Sequence, residues 1–254
     1  MHDLSPLIVV ALALVGFAGG VGITAIGPGG ILPTIGLVTL TGLAPAEVAG
    51  TAIATHVATG ALGTATCARS GHLRAPGTAR VAWTVGGVAL IGTPLGIALN
   101  SLLSPRWFGL VLGALLAVVA LLVLPRARRT DPPATRRPGL PLLVGIGLFV
   151  SVVAGIVGIG GPMLTVPLLV AVGFEMLGSL AAAQAQSVVI AGVGTIGYLL
   201  QGSIDWPLAV LVGVPELAGV LLGWRIARAV PTRTLQLALV TALLAMAPYL
   251  VWHG

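Results

Sequence analysis

The chain has 254 residues, of which 57% are apolar and 7% charged, with a mean hydropathy of +1.11 and a formal net charge of +6. Soluble domains carry about a quarter of their residues as charges, so this composition excludes one and indicates an integral membrane protein. The single cysteine, Cys67, excludes an internal disulfide and a thiolate metal cluster and reads as a small helix-packing residue.

Apolar stretches about long enough to cross a bilayer follow one another along the chain: Leu7–Ile26, Val48–Ala68, Val81–Leu99, Trp107–Leu124, Leu142–Val157, Ala181–Leu200, Leu208–Trp224 and Leu235–Val251. They are continuous rather than alternating, which predicts an all-α polytopic protein and not a barrel. Met1-His2-Asp3-Leu4 lacks the basic start of a signal peptide, so the first helix is expected to stay. Within the first apolar region lies Gly27-Pro28-Gly29-Gly30. A second glycine break, Gly158-Ile159-Gly160-Gly161, interrupts the matching region of the second half.

The two breaks belong to a repeat. A shift of 131 positions aligns Gly27, Gly29, Gly30, Thr34, Leu37, Gly42, Ala52 and Gly63 with Gly158, Gly160, Gly161, Thr165, Leu168, Gly173, Ala183 and Gly194. The chain then divides into a first membrane repeat at 1–124, a basic linker at 125–138 and a second membrane repeat at 139–254.

No lysine occurs, and the arginines gather as Arg69/Arg74/Arg80, Arg126 to Arg137, and Arg225/Arg228/Arg233, with Arg106 alone. By the positive-inside rule the three groups face the cytoplasm and Arg106 lies outside. That topology puts both termini outside. It turns Leu140 to Val172 into a segment that enters and returns, either a short helical hairpin or a re-entrant pair, and the repeat predicts the same for Leu4–Leu40 from the opposite face. The same shift pairs the basic loop at Ser70-Gly71-His72-Leu73 with the acidic loop at Gln201–Asp205, so the two copies are expected to be inverted. Trp83, Trp107, Trp206, Trp224 and Trp252 fall near helix ends, where an aromatic belt is expected.

Where a helix starts inside a membrane after a glycine turn, its first N–H groups lack intrahelical partners and carry partial positive charge, which suits an anion. Gly29, Gly30, Gly160 and Gly161 are therefore candidate binding residues, with Thr34 and Thr165 one turn on. Scattered glycines that only let helices pack closely are the plainer alternative. Thr51, Thr55 and His56 in the following helix, and Gln186 and Ser187 in its counterpart, could hold an oxyanion with neutral donors or act as interhelical glue. Buried ionisable side chains are costly in a bilayer and mark pathways or relays. His56 and Glu216 are the candidates for proton coupling, Glu216 lying just after Pro215, and Glu47 reads as an interfacial helix-start charge.

Gly27-Pro28-Gly29-Gly30-Ile31-Leu32, Gly158-Ile159-Gly160-Gly161-Pro162-Met163-Leu164-Thr165-Val166-Pro167, Ala49-Gly50-Thr51-Ala52 and Gly202-Ser203-Ile204-Asp205-Trp206 resemble the motifs of the TauE/SafE sulfite exporter family. The first copy departs from the pattern at Pro28, at Gly36 where the second has Pro167, and at Arg74 where the second has Asp205. The resemblance covers nearly the whole chain and implies movement of sulfite, organosulfonates or related small anions across a bacterial inner membrane. Three classes compete: a secondary transporter that rocks one repeat against the other, an intramembrane enzyme, and a passive channel or structural partner. No nucleophile elbow, His-Glu-x-x-His or ATP-binding loop is present, so the expectation is a transporter and not an enzyme. It needs no metal or cofactor. Its expected partners are a small anion and the lipid bilayer, with a second copy of the chain allowed and no nucleic acid.

Overall fold

The computed structural model describes residues 5–128 and 139–231, together with 233, 234, 237 and 241. Its helices, in chain order, are α1 (Pro6–Ala25), α2 (Ile31–Leu40), α3 (Pro45–Arg69), α4 (Pro76–Asn100), α5 (Pro105–Arg128), α6 (Leu140–Val157), α7 (Pro162–Ala171), α8 (Met176–Leu200) and α9 (Trp206–Ala229). No strand occurs among the described residues. Five of these helices are long and apolar enough to cross a membrane: α1, α6, α8, α9 and α4 from Gly77. The protein is a polytopic all-α membrane protein.

The helices start one to five residues before the apolar stretches that mark them, and proline opens several of them. Pro6, Pro45, Pro76, Pro105 and Pro162 each stand at the first helical position, where the missing N–H is not needed. Side chains cap other starts: Ser5 Oγ accepts from the Ile8 N–H at 3.4 Å, and Asp205 Oδ1 from the Leu208 N–H at 3.0 Å. Glu47 Oε2 accepts from the Ala44 N–H at 2.9 Å, so this acid does sit at a helix start, as expected. Helix α5 continues to Arg128, into the stretch expected as linker. The expected helix Leu235–Val251, Trp252 and most of the linker lie outside the described residues.

The glycine breaks are real interruptions. Helix α1 ends at Ala25, a short turn covers Pro28–Gly30, and α2 has only 10 residues, about 15 Å at 1.5 Å per residue. The turn is made by Gly27 at φ +103° and its counterpart by Gly158 at φ +74°, both in a region that side chains avoid. Helix α2 then runs back along α1. Gly29 abuts Gly22, a Cβ on Gly19 would meet Pro33 at 2.8 Å, and one on Gly36 would meet Val15 at 2.9 Å. The segment therefore folds back on itself, with one leg twice the length of the other. The shift of 131 read from the sequence carries Ile31–Leu40 onto Pro162–Ala171 and Pro45–Arg69 onto Met176–Leu200, end to end.

Helix packing is made by small residues at close approach, the usual solution where lipid removes the hydrophobic drive between helices. Helices α1 and α9 lie parallel: Gly16 meets Val212, Gly20 meets Glu216, Gly219 meets Phe17 and Val21, and Gly223 meets Val21 and Thr24. Helices α6 and α4 are also parallel, with Gly147 on Val85, Gly92 on Leu148 and Ser151, and Gly155 on Gly96 and Ile97. Helices α3 and α8 cross antiparallel, since Gly50 meets Tyr198, Gly194 meets Ile53, Gly60 meets Ser187 and Gly63 meets Gln184. These contacts leave the middle of α3 facing the middle of α8.

The two ends of the bundle differ in charge. His72, between α3 and α4, stacks edge-on against Trp224 at 6.0 Å, and Arg228 lies 5.8 Å over the same ring. Arg69, Arg74, Arg225 and Arg228 thus share one end and are exposed there. The other end carries Arg106, and the Asp205 N–H donates there to Thr51 Oγ1 near the start of α3. Trp83, Trp107 and Trp206 are exposed as a belt requires. Trp224 departs from that expectation: it is buried and packs with Cys67 and Ala181, which fills the interface of α3, α8 and α9.

Candidate functional site

His56 stands at the centre of the molecule. It is the twelfth residue of α3, as Ser187 is of α8, and neither helix offers it water: His56 is fully buried. Its Nε2 lies 3.1 Å from the Gly30 carbonyl oxygen at the first break. Its Nδ1 lies 3.1 Å from Glu216 Oε1 on α9 and 3.4 Å from Thr55 Oγ1. Glu216 is equally buried; its Oε1 stands at ion-pair distance from Nδ1 outside hydrogen-bond geometry, and neither carboxylate oxygen has a hydrogen-bond partner among the described residues. Glu216 is held there by backbone: it follows Pro215, which frees a carbonyl one turn back, and its own carbonyl packs on Gly20 of α1.

The second break meets the same residue. A Cβ on Gly160 would stand 2.8 Å from Ser187 Oγ and 3.5 Å from His56 Cδ2, and one on Gly30 would stand 3.5 Å from His56 Nε2. His56 thus touches both breaks. Gly161 is pressed against α8, where a Cβ would lie 3.0 Å from the Ala183 carbonyl oxygen and 3.1 Å from Gln186 Oε1. One turn into α7, Thr165 Oγ1 donates to Gln186 Oε1. That bond turns the Gln186 amide so that Nε2, wholly buried beside the start of α7, has no partner among the described residues.

Gly30, Thr55, His56, Gly160, Gly161, Thr165, Gln186 and Ser187 therefore gather as the sequence suggests, with Glu216 added by α9. Three other candidates are used differently. Gly29 lies on the far side of its turn against Gly19 and Gly22, where it permits the return of α2. Thr34 Oγ1 donates to the Gly158 carbonyl at 3.4 Å, tying α2 to the second break. Thr51 is occupied by the Asp205 N–H at 2.9 Å. Gln184, which the repeat register sets beside Gln186 but which was not among the binding candidates, donates from Nε2 to the Ile23 carbonyl at 3.3 Å, and its Oε1 is buried against Gly63 without a partner among the described residues. The signal was a second glutamine two residues from Gln186. Among the described residues no three His, Cys, Asp or Glu side chains gather in a metal-sized group.

A helical membrane bundle with two broken helices meeting at a buried polar centre is the architecture of a membrane transporter. The chain belongs to the sulfite exporter TauE/SafE family, whose model matches residues 12–250. It is 26% identical over 236 residues, 90% of this chain and 94% of the relative, to a protein of Bacillus subtilis (strain 168) described as probable membrane transporter protein YdhB. No solved structure matches the chain.

Proposed function

We propose that the protein is a secondary transporter that moves a small oxyanion, such as sulfite, an organosulfonate or a related sulfur-containing or carboxylate anion, across the bacterial inner membrane by alternating access. The observation that carries this reading is the unpartnered, fully buried Gln186 Nε2 beside the N-terminus of α7. A buried donor left unpaired costs about 1–3 kcal/mol, and an oxyanion supplies the missing acceptor while the first N–H groups of α7 supply further donors. The antiparallel crossing of α3 and α8, counterparts under the 131-residue shift, supports inverted repeats around this point. The exposed arginines at one end support a cytoplasmic face there, with the termini outside. His56 and Glu216, bridging the first break and α9, are the groups through which a proton couples to the anion.

Proteoliposomes containing the full chain should take up radiolabelled sulfite or methanesulfonate above protein-free vesicles. Gly161→Leu should reduce that uptake at least tenfold, because its side chain enters the space between α7 and the Gln186 amide. Gly87→Leu, where a Cβ meets nothing within 4 Å, should behave as the parent protein. Equal uptake by Gly161→Leu and the parent removes the site from the α7 start.

A further inference from the structure

The hydrogen-bond roles around His56 fix a proton. The Gly30 carbonyl can only accept, so Nε2 carries a hydrogen. Thr55 Oγ1 spends its own hydrogen on the Ala52 carbonyl at 2.9 Å and can therefore only accept from Nδ1. Glu216 Oε1, which has no hydrogen-bond partner among the described residues, lies 3.1 Å from the same Nδ1. With both ring nitrogens facing acceptors, a neutral imidazole beside an ionised carboxylate would set two lone pairs against each other. One additional proton between Nδ1 and Oε1 removes the conflict and makes the pair neutral as a unit. No other titratable side chain is seen facing His56 from α1, α2, α7, α8 or α9 among the described residues: the remaining buried ones are Cys67, beside Trp224, and Tyr198, whose hydroxyl donates to the Gly155 carbonyl.

Among the described residues no fixed positive charge stands at the same centre. Every arginine whose exposure is described lies exposed at a helix end or in a loop, and the donors beside Gly160 and Gly161 are an amide, a hydroxyl and backbone N–H groups. The cost of burying an ion rises with the square of its charge, so neutral donors can hold a monoanion where they cannot hold a dianion. An ionised Glu216 would repel even that. His56 is the shared wall, 3.5 Å through Cδ2 from the Gly160 Cβ position and 3.1 Å through Nδ1 from the carboxylate on its other side.

We infer that the site takes a singly charged anion together with one proton, the proton lying between His56 Nδ1 and Glu216 Oε1 and leaving with the anion on the opposite side. This rests on the transport reading above and adds the charge class of the substrate and the stoichiometry. Each cycle moves one anion and one proton, so no net charge crosses.

The test uses the full chain in proteoliposomes with the membrane potential clamped by potassium and valinomycin, an entrapped pH dye, and two probes of similar shape: methanesulfonate, always a monoanion, and sulfate, a dianion at neutral pH. Methanesulfonate should move one proton per anion at a rate indifferent to the clamped potential. Because each anion brings one proton, its apparent affinity should weaken as the external pH rises, by at most about tenfold per pH unit. Sulfate should compete at least a hundredfold more weakly. In Glu216→Gln, the flux that remains should carry no proton and should follow the potential. Methanesulfonate flux without protons in the parent protein, or sulfate competing as strongly as methanesulfonate, overturns the inference while leaving transport standing. If Glu216→Gln does not fold, these two counts on the parent protein decide it. If neither these probes nor sulfite moves, the transport reading falls and takes this one with it.

Discussion

A carboxylate and an imidazole buried together gain little net stability over an apolar pair of the same shape, since desolvation offsets their attraction. Removing one partner is different, because it leaves the other unpaired in a dry interior. Glu216→Leu or His56→Leu should each lower stability by about 3–5 kcal/mol, whereas the double substitution should lose much less than the sum. Unfolding of the four proteins in one detergent reads this directly, and additive losses would show that the two side chains do not act as a pair. The sequence singled out both residues because ionisable side chains in apolar helices are costly wherever they point. It could not pair them. Contact between position 56 and position 216 depends on α9 lying against α1 and α3, and no local pattern in either helix carries that information. Gln186 and Ser187 were legible through the repeat register, whereas the bond from Gln184 to Ile23, across the two halves, was not.

Glycine spacing decides what the helices can do as elements. Gly16 and Gly20 on α1, and Gly219 and Gly223 on α9, form two small-residue pairs four apart that interlock in parallel. Thr24 Oγ1 closes the seam by donating to the Val220 carbonyl at 2.8 Å. A side chain at Gly20 meets the Glu216 carbonyl itself, so Gly20→Leu should push α9 away from α1 and displace the clasp. The expected outcome is a loss of about 1–3 kcal/mol from overpacking, measured by thermal unfolding, together with loss of proton-linked uptake. Thr24→Val removes only one interhelical hydrogen bond, about 0.6 kcal/mol in a bilayer, and should keep transport. If Gly20→Leu unfolds like the parent and still transports with protons, the seam does not position Glu216. Breaks and helices were readable from apolar length and glycine runs, and the α2 and α7 bounds agree with the repeat residue for residue. The choice of partners was not readable, because 37 glycines in an apolar chain offer many such seams.

At the scale of the whole molecule, the glycine seams between long helices run between the halves of the chain. Helix α1 of the first half packs on α9 of the second, and α6 of the second packs on α4 of the first, each with backbone against backbone. Rocking one sequence repeat against the other would tear both seams open. The units that can move intact are instead the α1/α9 pair with α2 and the α4/α6 pair, each drawn from both halves. Softer contacts occur where α3 crosses α8, in which Gly63 and Gly194 meet the ends of the Gln184 and Ile53 side chains. Because Cys67 is the sole cysteine, a Cys67→Ala background lets paired cysteines test this division. Thr24→Cys with Gly223→Cys bridges α1 to α9, Gly92→Cys with Ser151→Cys bridges α4 to α6, and Gly63→Cys with Gln184→Cys bridges α3 to α8; in each, the glycine lies against the side chain of its partner. Oxidation of the first two pairs should leave uptake within about twofold of the reduced protein, since each bond lies inside a moving unit. Oxidation of the third should arrest uptake, with recovery on reduction. Arrest by the α1/α9 or α4/α6 bridge would mean that the seams themselves open, and motion would then follow the order of the sequence after all.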